Sequence, residues 1–207
     1  MARKPLTKPR KHASQGRSRA TVDALIEATA RILVKDGFDK TSTNRIAEKA
    51  GVSVGSLYQY FPSKEALVAA VVERHTEELM HVVRTVLADV AKLPVDEAVR
   101  KLVTAAIHAH RIDPELHRVL AEQMPRTGRA ANADVLSVET YALFRAYLDA
   151  HADEFRAVDL ELATFVCVTS IEALTHSAVL DYAGRLSEEA MDALVDEATR
   201  LIVRYLQ

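Results

Sequence analysis

Between Arg19 and Lys35 apolar residues recur at Val22, Leu25, Ile26, Ile32 and Leu33, the three-and-four spacing that gives a helix one buried face. Gly37 ends that helix. Thr43 is placed to cap a short second helix through Ala50, with Ile46 and Ala47 turned inward, and Gly51 supplies the left-handed residue that closes its C-terminus. Ser53 caps a third, anchored by Leu57, which must stop near Phe61 because Pro62 disfavours helical geometry in the residue before it. Ser63 restarts the chain, and the run Leu67, Val71, Leu79, Val83 and Leu87 carries one helix to about Val90.

Further helices are expected at 95–111, 114–123, 130–151, 159–181 and 187–206, divided by Pro94, Pro114, the stretch from Pro125 to Gly128, and Gly184. The last is the clearest: Met191, Leu194, Val195, Ala198, Leu201, Ile202 and Tyr205 form a stripe able to pack internally or against a second subunit. No repeat of solenoid length is present. Composition agrees with an all-α fold, since 33 Ala and 22 Leu favour helices while 6 Gly and 6 Pro are too few to turn many short strands.

Charge divides the chain. Residues 1–75 carry 14 Lys/Arg against 7 Asp/Glu, and residues 76–207 carry 13 against 22. A basic first third attracts a polyanion such as DNA, whereas the acidic remainder suits self-association or small ligands. Residues 1–18 hold six of the cations and no acid, with Pro5, Pro9 and Gly16 among them, and read as a flexible basic arm able to follow DNA or remain a solvated tail. The longest unbroken apolar run, Ala66 to Val72, is far short of the roughly 20 residues of a bilayer span. No membrane partner is expected. With a single cysteine, which cannot form an internal disulfide, this points to a cytoplasmic protein.

The two short helices make a helix-turn-helix candidate. Ala47 is small where the second crosses the first, Gly51 permits the turn, and Ile46, Val52 and Leu57 fill the wedge between them and the preceding helix. Such a unit presents the start of its second helix to the major groove. An ordinary helical hairpin satisfies the same spacing.

The segment TNRIAEKAGVSVGSLYQYFPSKEAL, from Thr43 to Leu67, resembles the DNA-binding signature of the TetR (tetracycline-repressor-like) family of bacterial transcription regulators. The resemblance covers about the first 70 residues in detail and the rest only in architecture. It implies a three-helix DNA-binding domain over 19–66, then a helical effector-binding and dimerisation domain over 67–207 that pairs through its last two helices. It assigns Thr43 to a phosphate, Arg45 to the groove edge, and Ser53, Val54, Gly55, Ser56, Tyr58 and Gln59 to bases or nearby backbone. Tyr60 and Lys64 would meet phosphates. The side chains suit these roles, since Gly55 permits close approach, Val54 offers an apolar contact and Gln59 can pair with an adenine edge. Many members of the family have Lys or Arg where this chain has Val54, so one charge is absent from the groove.

Catalysis finds no support, for the sequence has neither a Gly-x-Ser-x-Gly elbow nor a phosphate-cradling glycine loop. No cofactor or metal is expected: His108 and His110 point apart on one helix, and Pro114 separates His110 from His117 with no acid or thiolate completing a tetrahedral set. Glu172 and His176, one turn apart, are candidates for a ligand-binding pair, a proton-linked switch or an intrahelical contact. His108, Tyr141, Phe144, Phe165, Cys167, Glu172 and His176 are the candidates for an effector pocket, which would take a hydrophobic or weakly polar small molecule. Together these features describe a homodimeric, ligand-responsive repressor of a pseudo-palindromic DNA operator. The rival is an all-helical carrier of small ligands whose N-terminal helices are only structural.

Overall fold

The computed structural model describes residues 16–123, 126–156, 159–181 and 187–207. Most of the basic arm, residues 1–15, lies outside them. Helix α1 (Gly16–Asp36) begins three residues before the expected Arg19, because Arg17, Arg19 and Ala20 favour helix and nothing there stops it. There follow α2 (Thr43–Ala50), α3 (Val54–Tyr60), α4 (Lys64–Val90), α5 (Val95–His110), α6 (Pro114–Gln123), α7 (Arg126–Ala150), α8 (Leu160–His176) and α9 (Glu188–Leu206). Among the described residues every regular element is helical, as the all-α expectation requires.

Two further boundaries shift by several residues. Helix α7 starts at Arg126 rather than near residue 130 and carries Gly128 inside it, at a cost of about 1 kcal/mol that the long helix absorbs. Helix α8 ends at His176 and widens into a π-type turn over Ser177–Asp181. Its start is fixed by Asp159, whose Oδ1 accepts from the backbone N–H groups of Glu161 and Leu162 at 2.9 and 3.3 Å.

The chain forms two compact units. The first gathers the described residues up to Thr76 with those between Glu115 and Asn132; the second is Glu77–Pro114 with Ala133–Gln207. In the first, Leu25, Leu33, Ile46, Leu57, Phe61 and Leu67 are fully buried. Leu116 and Leu120, one turn apart on α6, join the same core. The sequence reading divides the domains at 66/67; the structure divides within α4 and groups α6 with the helix-turn-helix unit, because those two leucines bury there.

The second core is built from Val90, Val99, Val103, Phe144, Leu148, Ala163, Cys167, Ile202 and Leu206. Contrary to the expectation from unbroken apolar runs, Leu160–Leu180 is long and apolar enough to cross a membrane by length and composition. It passes that test as a core helix does, since Ala163, Thr164, Cys167, Val168 and Ile171 bury one side of it within the second unit.

Candidate nucleic-acid interface

The turn between α2 and α3 is closed by backbone geometry. Gly51 has φ 69° and its N–H bonds the Glu48 carbonyl at 3.1 Å, while the Val52 N–H bonds that of Ala47 at 3.0 Å. This pair satisfies two carbonyls that the end of α2 leaves without helical donors, and the left-handed φ is why glycine stands there. Ser53 then caps α3, its Oγ accepting from the Ser56 N–H at 3.1 Å. Ile46, Ala47 and Leu57 are buried against α1, as the wedge requires.

With Leu57 inward, the opposite side of α3 is open. Ser53, Val54, Gly55, Tyr58 and Gln59 are exposed, while Ser56 and Tyr60 are half-buried. Tyr58 is 41% exposed, so it does not serve as core. Its hydroxyl shares a 3.1 Å hydrogen bond with Thr43 Oγ1, which links the first residue of α2 to the open face of α3. The cap of α2 is Ser42 rather than Thr43: Ser42 has extended φ and ψ and accepts from the Arg45 N–H, leaving the Thr43 hydroxyl for Tyr58.

Both cations of the candidate set are held at the corner between α1 and α2. Arg45 donates to the Lys40 carbonyl at 2.7 Å and pairs with the Asp36 carboxylate. Lys64 Nζ donates to the Phe38 carbonyl at 3.0 Å and lies 4.0 Å from the centre of the Phe38 ring. These contacts give both side chains a positioning role that does not depend on phosphate. Ser42, Asp36 and Phe38 were not legible as partners. Ser42 and Thr43 are both capping types, and Asp36 meets Arg45 through the turn at Gly37 instead of along one helix face.

The seven effector candidates do not converge on one site. Phe144 and Cys167 are core, and burial pushes the Cys167 thiol up to about 12, as befits an inert side chain. His108 is exposed on α5. Phe165 is 54% exposed on α8, its ring 6.4 Å from that of Tyr141, whose hydroxyl bonds Thr169 Oγ1 at 2.8 Å. His176 packs edge to face on His110, with ring centroids 5.6 Å apart. Glu172 is exposed one turn earlier on the same helix.

Residues 25–71, which contain α2 and α3, match the family description "Bacterial regulatory proteins, tetR family", and residues 94–206, more than half of the chain, match "Tetracyclin repressor-like, C-terminal domain". The chain belongs to the TetR family. Among curated relatives, the HTH-type transcriptional regulator YerO of Bacillus subtilis is 30% identical over 89 residues, 43% of this chain and 31% of YerO. An HTH-type transcriptional regulator of Mycobacterium tuberculosis is 31% identical over 140 residues, 66% of this chain and 65% of the relative. The chain thus spans less than two thirds of the length of either. A putative TetR-family regulator from Mesorhizobium loti superposes with a TM-score of 0.75 at 19% identity, over 92% of this chain and 98% of that one. The fatty acid degradation regulator FadR of Bacillus halodurans gives 0.69 at 18%, over 94% and 97%. At such identities the likeness is one of fold.

Proposed function

We propose that this TetR-family chain is a cytoplasmic, homodimeric transcription repressor that binds a pseudo-palindromic operator and is released by a small-molecule effector, with no catalytic role. The observation that carries the reading is the open face of α3: Ser53, Val54, Gly55, Tyr58 and Gln59 are presented together while Leu57 on the other side is fully buried. A short helix so anchored enters the major groove, where Gln59 suits an adenine edge and Val54 a thymine methyl. Thr43, Ser56 and Tyr60 supply hydroxyls to backbone, with Arg45 and Lys64 adding positive charge near phosphates.

Two copies are needed because one such helix reads too few base pairs to be specific; paired at about one DNA turn, ~34 Å, they read two half-sites together. Leu162 and Phe165 on α8 and Leu201 on α9 are large apolar side chains left exposed, which supports pairing through the two C-terminal helices. An effector held by the helical domain acts only through different affinities for the DNA-competent and released states. A hydrophobic or weakly polar molecule suits the apolar composition of those helices.

The test is selection of duplexes from a random library by ligand-stripped, refolded protein, with a salt titration on the winner and light scattering on the free protein. An enriched inverted repeat, steep loss of affinity with salt and a dimeric mass are expected. No enrichment at low salt, or a monomer at micromolar concentration, overturns the reading.

A further inference from the structure

We propose that His110 and His176 form a binding site for a divalent transition-metal ion of borderline softness, of the zinc, nickel or cobalt class, with Glu172 supplying negative charge beside it. This inference is independent of the DNA-binding reading. The two imidazoles come from separate helices of the second unit, His110 from the last turn of α5 and His176 from the last turn of α8. His110 and His176 lie on separate helices far apart in the chain, so their pairing is visible only once the chain is folded.

The geometry suits shared ligation. The rings stand at 88° to one another, and a ring nitrogen of each lies within 4.8 Å of one on the other. Two imidazole nitrogens on one tetrahedral ion, each about 2.0–2.1 Å from it, are separated by about 3.3 Å. Closing the remaining distance, at most about 1.5 Å, takes small side-chain rotations and no movement of either helix.

The tautomer also suits it. His110 Nδ1 lies 2.7 Å from the Ala106 carbonyl. A carbonyl only accepts, so Nδ1 carries the hydrogen and the neutral ring has its lone pair on Nε2. Donation from the other ring nitrogen to a backbone carbonyl is how metal-binding histidines are commonly oriented. Glu172, four residues before His176 on α8, brings a carboxylate to the same side of that helix. Two imidazoles with a carboxylate one helical turn away are a donor set for Zn²⁺, Ni²⁺ or Co²⁺, and a poor one for Mg²⁺ or Ca²⁺.

The experiment uses the full-length chain, tag-free and chelator-treated, titrated with Co²⁺ by visible absorption and with Zn²⁺ by competition. Saturable binding of about one ion per chain is expected. Affinity should fall roughly tenfold or more in both His110→Gln and His176→Gln, and by a smaller factor in Glu172→Gln. Circular dichroism verifies that the variants stay helical. A readout without substitution is the imidazole ¹⁵N spectrum of the wild-type chain, in which Zn²⁺ should shift the ring nitrogens of His110 and His176. Absence of saturable binding, unchanged affinity in either histidine variant, or shifts confined to other histidines would reduce the pair to an aromatic packing contact and overturn the proposal.

Discussion

Gly55 separates what the helix-turn-helix needs for folding from what it needs for DNA. It is the second residue of α3, is exposed, and has ordinary helical backbone. A Cβ built there meets nothing nearer than Ser53 Oγ at 3.9 Å, an ordinary van der Waals contact. Gly55→Ala therefore removes backbone entropy from the unfolded chain without a clash, a gain of roughly 0.5–1 kcal/mol. For a chain of this size that raises the melting temperature by about 1–4 °C. If α3 lies close in the groove, the same methyl holds the helix away from the bases. A tenfold loss of operator affinity, about 1.4 kcal/mol, is expected. Thermal melting by circular dichroism and fluorescence anisotropy on the selected duplex read the two effects from one preparation. A lower melting temperature would refute the packing argument. A raised melting temperature with unchanged affinity would refute the placement of this face on DNA.

Gly51→Ala should behave in the opposite way: its Cβ also meets open space, but φ 69° strains any side chain, so stability falls by about 1–2 kcal/mol in denaturant unfolding. Lys64→Ala should lower stability by about 1 kcal/mol even without DNA, because it removes the donor to the Phe38 carbonyl and the contact with its ring; Lys64→Arg should recover part of this. Cys167 should resist maleimide in the native chain at neutral pH and react only after denaturation. Its native pKa of about 12 lies above the ordinary 9.0, so the stability it confers is complete below pH 9.0 and declines as pH rises toward 12. Alkaline melts of Cys167→Ala should therefore show a shallower decline than wild type.

The helix-turn-helix was legible because each of its devices is local. Gly51, Ser53, Leu57 and Pro62 act within a few residues of themselves, and a left-handed closure, a cap and an inward anchor can be inferred from residue type and spacing. At the last helix the sequence reading takes residue 187 as the first helical position, whereas Ser187 is its cap, its Oγ accepting from the Ala190 N–H. What escaped the sequence depends on contacts between elements. The Tyr58 to Thr43 hydrogen bond and the holding of Lys64 by Phe38 need the angle at which helices cross. Helix α6 falls with the first unit because of where Leu116 and Leu120 bury, a choice that periodicity alone leaves open. Polar or aromatic character on an apolar helix does not say which side a residue faces, so the effector candidates include core (Phe144, Cys167) as well as exposed positions (His108, Phe165).

The central claim is that the open face of α3 reads base edges. Its most direct test is to repeat the duplex selection with Gln59→Ala beside the wild type. The expected result is a relaxed preference at one base pair in each half-site, with a loss of about 1–3 kcal/mol against the wild-type operator, the other positions retained and the melting temperature unchanged. An identical recovered sequence at equal affinity would contradict it.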